Sequence, residues 1–309
     1  MRYKICVWGL GKIYNRLVNT LRYFESIEAI AIEAVTASEV PDCRYLDGWK
    51  IFDKRNLNEV SFDYVVVMNQ TDFTDVVNDV MTYANVERDC IIPFRVLEIP
   101  NLNFETYIHL KKSRLSIISN NCWGGGIVYR TLGLECLSPF KNLAVWDEDY
   151  IKLLKRLEYY MGCEPHFDTM NVDIHSKKEY PVLLLDDVRI QCNHDTEPDT
   201  AISNWLRRRD KINWGNLLVE MYTEDIRIEE QFLDLKQYNK KICFVTHASQ
   251  KRDTFTLNFS LKQNELWEIV NNHAVYGKNA VIYNLIELLM HDIERDVIKR
   301  TANTKGVVV

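Results

Sequence analysis

Tyr3-Lys4-Ile5-Cys6-Val7-Trp8-Gly9-Leu10-Gly11-Lys12-Ile13-Tyr14 opens the chain with strand-forming residues that stop at a pair of glycines. After the turn, Ile13, Leu17, Val18 and Leu21 recur at three- and four-residue steps, the spacing of one helical face. A second strand is predicted over 29–35 and a short further one over 49–52. Asp63 then precedes Tyr64-Val65-Val66-Val67-Met68, an unbroken apolar run of the kind buried on both faces of a parallel sheet. A helix capped by Asp72, with Val76, Val77, Val80 and Met81 inward, and a strand over 90–92 complete the set.

Strands alternating with helices at this spacing predict an α/β fold that begins with a Rossmann-like, doubly wound parallel sheet. Right-handed crossovers place the ends of its first and fourth strands beside one crevice. Pro93 and Pro100 punctuate the chain beyond it. A first domain is therefore expected over 1–103 and a second α/β domain, expected to be catalytic, over 104–309, entered through a linking helix over 104–112. Within that second half the pattern predicts a strand over 115–118, a helix over 127–132 and one continuous helix over 149–161, striped by Ile151, Leu154, Leu157 and Tyr160. A hairpin around Asp186-Asp187, a helix over 198–210, strands over 217–221 and 242–246 and a long amphipathic helix over 280–300 follow.

A chain of 309 residues suits two domains, and 47% hydrophobic residues suffice for two cores. A net charge of −6 argues against a general nucleic-acid or membrane-surface binder. No run of about eighteen apolar residues occurs, so no membrane span is expected. The start, Met1-Arg2-Tyr3-Lys4, lacks the shape of a signal peptide. Eight cysteines, at 6, 43, 90, 122, 136, 163, 192 and 243, show neither Cys-x-x-Cys nor zinc spacing. They read as reduced thiols of a cytoplasmic protein without a metal site.

A glycine turn after a first strand lets backbone N–H groups approach a phosphate, so Gly9 and Gly11 are candidate nucleotide contacts. The third glycine of the dinucleotide pattern is missing, Tyr14 is bulky, and Glu33 lies inside the second strand instead of at its end. Nicotinamide chemistry is therefore weakly signalled, and a turn that merely starts a helix is the plainer alternative. The sequence names no cofactor and no oligomeric state.

Ser119-Asn120-Asn121-Cys122-Trp123-Gly124-Gly125-Gly126 is the most unusual stretch. Between a strand and a helix, Cys122 would sit where a helix N-terminus lowers a thiol pKa. Gly124, Gly125 and Gly126 would free backbone N–H groups for an oxyanion, and Asn120 and Asn121 would add amide donors. A nucleophile needs a base, and His194, with Asp195 or Asp187 to orient it, is the best placed of seven histidines. The alternative is a binding loop with an incidental thiol. Further on, 205–216 sets Arg207, Arg208, Arg209 and Lys211 between Trp205 and Trp214. Arginine grips phosphate or carboxylate and indole offers a stacking face, so Trp205, Arg208, Asn213 and Asn216 are candidate ligand contacts. A solvated helix end whose cations complement the dipole explains the same run.

These residues also carry a resemblance. The Ser119 to Gly125 motif, Leu132-Gly133-Leu134, Ser138-Pro139-Phe140-Lys141-Asn142 and Asp149-Tyr150 resemble the bacterial domain of unknown function 1919 family. Tyr180-Pro181-Val182, the strand end at His194, the run from Trp205 to Arg208, Ile212-Asn213, Asn216 and the segment from Lys240 to Phe244 extend it, over roughly 113–250. Asp195 and Lys211 depart from the family pattern, which has an aromatic and an arginine there. Family members are usually labelled exopolysaccharide biosynthesis proteins. The resemblance therefore implies a bacterial cytosolic protein that acts on a nucleotide-sugar or glycan. A transferase using Cys122 is the expected activity; a non-catalytic nucleotide- or glycan-binding protein is the alternative.

Overall fold

Four of the apolar runs in the first half hydrogen-bond into one parallel sheet. The computed structural model describes residues 2–290 apart from 38, 40–43, 70–72, 100, 174–175, 250, 252 and 257–284. β1 (Tyr3–Trp8) leads through α1 (Lys12–Ser26) to β2 (Ile30–Thr36) and then to a small hairpin of β3 (Tyr45–Leu46) and β4 (Trp49–Lys50). β5 (Tyr64–Val67), α2 (Phe73–Ala84) and β6 (Ile91–Pro93) follow. The sheet order is β2-β1-β5-β6, parallel throughout. The chain steps from β1 to one side and returns to the other, so right-handed crossovers put α1 and α2 on opposite faces. That two-sided cover is why every residue of β5 is buried. The expected helix cap at Asp72 lies outside the described residues.

α3 (Phe104–Lys112) forms over the span its sequence predicts. The chain divides into two compact units, one of Met1–Lys111 with Thr131–Leu134, the other of Lys112–Arg130 with the residues from Glu135 onward.

The second unit holds a parallel sheet and an antiparallel one. β7 (Ser116–Ser119) runs into a helix that is π-wound over Trp123–Val128 and regular over α4 (Tyr129–Leu132). α5 (Asp147–Lys155), α6 (Leu157–Gly162), β8 (His166–Val172), β9 (Glu179–Leu185), β10 (Val188–Gln191) and α7 (Pro198–Arg209) come next. β11 (Leu217–Tyr222), α8 (Ile226–Leu233), β12 (Lys240–Val245) and β13 (Thr254–Thr256) complete the parallel sheet, in the order β13-β12-β11-β7. The antiparallel sheet is β10-β9-β8, with Asp186 at φ +52° turning the β9–β10 hairpin. Tyr150, Tyr160, Trp205 and Phe232 fill the core between these layers. Among the described residues, no helix is long and apolar enough to cross a membrane.

Several expectations are revised. The single helix over 149–161 is two helices, because Arg156 leaves helical geometry at φ −141° and ψ 43°. The carbonyl of Leu154 accepts hydrogen bonds from Tyr238 Oη at 2.6 Å and Gln237 Nε2 at 3.3 Å, so the first helix ends on partners from a distant loop. β8 escapes a periodicity reading since all seven of its residues are exposed. The helix after β7 begins at Trp123, ahead of the glycines, instead of at Ile127. Of the helix expected over 280–300, the described part is Leu285–Met290.

Candidate functional site

The carboxyl edge of the second unit's parallel sheet gathers the polar groups. β7 and β11 run side by side with Ser119 opposite Glu220, and the chain leaves β7 through Asn120 and Asn121. The Asn120 amide continues the ladder with a side chain: its Oδ1 accepts from Tyr222 N at 3.0 Å and its Nδ2 donates to Tyr222 O at 2.9 Å. Asn121 donates through Nδ2 to Asn120 Oδ1 at 2.9 Å and to both carboxylate oxygens of Glu220 at 3.1 and 3.3 Å. Its Oδ1 accepts from Trp123 N at 2.7 Å and so caps the helix that follows. Both asparagines are buried, and both fix backbone instead of reaching into open space.

That scaffold sets Cys122 at the mouth of the helix. Its Sγ lies 3.7 Å from Nε2 of His194, which follows β10, and 3.9 Å from the carbonyl oxygen of Leu143. The two residues are 72 positions apart in sequence and meet because the β9–β10 hairpin packs beside the sheet. Cys122 is half-buried and His194 is exposed. Burial, followed by the field of Glu220, pushes the Cys122 thiol up to about 11, the reverse of the lowering expected at a helix N-terminus. The desolvation of Sγ outweighs the helix dipole. Asp195 turns away to accept from Asn204 Nδ2 at 3.0 Å. Asp187 takes Tyr160 Oη at 2.7 Å and pairs with Lys152, at the turn of the hairpin.

The glycines have a packing role. A Cβ on Gly124 would lie 2.5 Å from Ile117 Cγ2, and one on Gly125 would collide with the backbone of Phe140 and Lys141. Gly126 lets Asn142 Oδ1 approach beside Cys122. Absence of side chains therefore lets the 140–143 loop close on the helix, and this loop delivers the Leu143 carbonyl to Cys122. Gly124 and Gly125 are buried, so two of the three glycines expected to present free N–H groups are enclosed.

Trp205 and Arg208 support the same loop. The Trp205 ring meets Phe140 edge-on at 5.3 Å, and Arg208 Nη1 donates to Lys141 O at 3.2 Å. Asn213 and Asn216 sit at the opposite edge of the sheet, where they tie the start of β7. Asn213 Nδ2 donates to Arg114 O at 2.9 Å and Asn216 Nδ2 to Ser113 O at 2.9 Å. The structure brings Cys122 together with His194, and reaches Trp205 and Arg208 only through the loop; Asn213 and Asn216 stand apart. In the first unit, Gly9 has φ +107° and lies tight against the carbonyl of Met68, whereas Gly11 caps α1 with open space around it.

Sequence reasoning missed the buried carboxylates. Glu220 is fully buried and burial pushes it up to about 8, partly opposed by the Asn121 hydrogen bonds. A lone carboxylate inside Leu217-Leu218-Val219-Glu220-Met221-Tyr222 was the available signal. Asp147 accepts from Thr223 Oγ1 at 2.5 Å and Asn120 Nδ2 at 3.3 Å; its pKa is raised by burial. Glu229, also buried, is bonded by Ser249 Oγ at 2.7 Å, Thr254 Oγ1 at 2.9 Å and His247 Nε2 at 3.0 Å. Burial acts to raise its pKa, and these hydrogen bonds bring it net below the usual carboxylate range.

Comparison with known proteins gives two family matches and one relative. Residues 94–289 match the family described as Domain of unknown function (DUF1919). Residues 1–92 match a model described as C2185-like, N-terminal. A Haemophilus influenzae protein described as "Uncharacterized protein" is 26% identical over 173 residues, which is 55% of this chain and 80% of that protein.

Proposed function

The chain belongs to the DUF1919 family, and from that premise we propose that it is a cytoplasmic transferase of bacterial surface-polysaccharide biosynthesis, working through Cys122 on a nucleotide-sugar or glycan. The observation that carries the reading is the 3.7 Å separation of Cys122 Sγ from His194 Nε2 at the carboxyl edge of a parallel sheet. The π-wound turn beside it is a feature that recurs at functional sites. The polysaccharide context comes from the label usual for the family.

With its thiol pushed up to about 11, Cys122 holds its proton at neutral pH, and only on the order of one molecule in ten thousand is a thiolate. The pair therefore works as thiol and general base. His194 Nε2 takes the Sγ proton as sulfur bonds to the acyl carbon of the donor, and returns it to the leaving group as the bond from that carbon breaks. A hydroxyl of the acceptor then attacks the thioester, His194 Nε2 takes its proton, and that proton passes to Sγ as the carbon–sulfur bond breaks.

A second reading, a non-catalytic nucleotide- or glycan-binding protein, is favoured by that same unactivated thiol. One experiment separates the two. The chain is incubated with p-nitrophenyl acetate, and each thiol is followed by peptide mass spectrometry. The transferase reading expects acetylation concentrated on Cys122 and lost in His194→Gln. Labelling spread evenly over Cys122, Cys136 and Cys163, or unchanged in the variant, rejects it in favour of the binding protein.

A further inference from the structure

At the amino edge of the same sheet, away from Cys122, lies a cleft of about 610 Å³. Its floor is the start of β11 and β12, and its walls are the break between α5 and α6 and the turn at Trp214. The volume is in the range of small-molecule sites. β11 separates it from the Cys122 edge by its six residues, roughly 17 Å at about 3.3 Å per residue.

Trp214, 46% exposed, presents its indole there, and Tyr159, 43% exposed, carries the Arg156 guanidinium on its ring. Trp205, nine residues from Trp214, is by contrast buried. Three cations, Lys155, Arg156 and Lys240, line the same space against one carboxylate, Glu158, in a chain whose net charge is −6. Among the described residues none of the three forms an ion pair. Arg156 instead lies over the Tyr159 ring at 3.9 Å, and Lys240 Nζ donates to Asn216 Oδ1 at 3.0 Å. The helix break that makes the wall is held by Tyr238 and Gln237 on the Leu154 carbonyl. The non-helical geometry of Arg156 is what turns this residue out of the α5–α6 line.

From these features we propose that the cleft is a binding site for an anionic saccharide, one bearing a carboxylate or a phosphate. The Trp214 indole offers a flat face to the C–H side of a sugar ring, with the Arg156–Tyr159 stack beside it. Asn239 supplies an amide for its hydroxyls, and the cations grip its charge. A mononucleotide is the poorer fit, because no glycine-rich turn lines the cleft to cradle a phosphate on backbone N–H groups. The site stands whether or not Cys122 is a nucleophile, and it would hold a part of a chain-like substrate remote from that residue.

The test is calorimetric titration of the full chain with four probes: a glucuronate-containing tetrasaccharide, glucose 6-phosphate, neutral maltotetraose and uridine monophosphate. Saturable binding of the glucuronate or phosphate sugar, at least tenfold tighter than maltotetraose and weakened by added salt, is expected; which of the two binds identifies the anion. Trp214→Ala and Arg156→Gln, both exposed changes whose folding is checked by circular dichroism, should each weaken it at least tenfold. Cys122→Ser should leave it unchanged. No saturable binding of either acidic sugar, equal binding of maltotetraose, tightest binding of uridine monophosphate, or affinity that survives both cleft variants would overturn the proposal.

Discussion

Both units of this chain send a parallel strand through glycines into a helix, and the two turns use glycine for opposite reasons. After β1, Gly9 is needed for its own backbone, at φ +107° against the Met68 carbonyl, while Gly11 touches nothing that a methyl group would disturb. After β7, the glycines lie in the π-wound helix, none of them at positive φ, and are needed by their neighbours, Ile117 and the 140–143 loop. The first turn leaves the start of α1 open, without a side-chain cap. The second is closed over, and three glycines in a helix cost roughly 1 kcal/mol each relative to alanine, which the packing must offset. A motif read as a phosphate cradle is thus, in one unit, a way to bring a loop onto a cysteine.

The largest effect that sharpens this contrast is Gly125→Ala. A methyl group there meets the backbone of Phe140, which cannot step aside, so a loss of upwards of about 3 kcal/mol is expected. Thermal melting should show it as a fall of roughly 10 °C, and a melt like that of the parent protein would dissolve the distinction between the turns. Next comes the pH profile of Cys122. In His194→Gln, acetylation of Cys122 at pH 7 should drop on the order of a hundredfold. It should then climb about tenfold per pH unit between pH 7 and 9, as expected of a thiol that must ionise unaided. A variant with the parent's profile shows that the histidine carries no proton.

Glu220 supplies a stability counterpart. Its pKa rises from an ordinary 4.5 to about 8 on folding, so the unfolded chain releases the proton first. Folding is therefore favoured below pH 4.5 relative to higher pH, and this contribution is lost as pH rises towards 8. Glu220→Gln keeps an acceptor for Asn121 and should flatten that slope, leaving the variant more stable than the parent at pH 8 in urea melts. Parallel slopes for the two proteins would show that the carboxyl is not desolvated. The smallest effect is at the other turn: Gly11→Ser should change stability by no more than about 0.5 kcal/mol, in the stabilising direction if the hydroxyl caps α1. A large loss there would mean that the first turn is as tightly packed as the second.

Where structure is set by local pattern, the sequence was readable. β5 is four apolar residues buried on both faces, α3 has its expected bounds, and the hairpin turn falls at Asp186. The strand-to-helix placement of Cys122 and its meeting with His194 were within reach for the same reason, since both lie at strand ends. Long-range contacts hid the rest. The stripe from Ile151 to Tyr160 runs across a helix break that Tyr238 creates from beyond α8. Asn121 reads as an amide donor to a ligand and is spent on Glu220, 99 residues away. β8 offers no alternation because neither of its faces is covered. The direction of the Cys122 shift was also beyond a local reading, because a helix start is visible in sequence and the loop that buries the sulfur is not.

The raised thiol has a consequence outside turnover. Cysteine attacks peroxides and disulfides as its thiolate, and a thiol that ionises near pH 11 holds almost none at neutral pH. Cys6, Cys90, Cys136, Cys192 and Cys243 are pushed upward by burial as well. Cys122 is accordingly slow to oxidise at neutral pH, under conditions that would convert an activated cysteine to sulfenic acid.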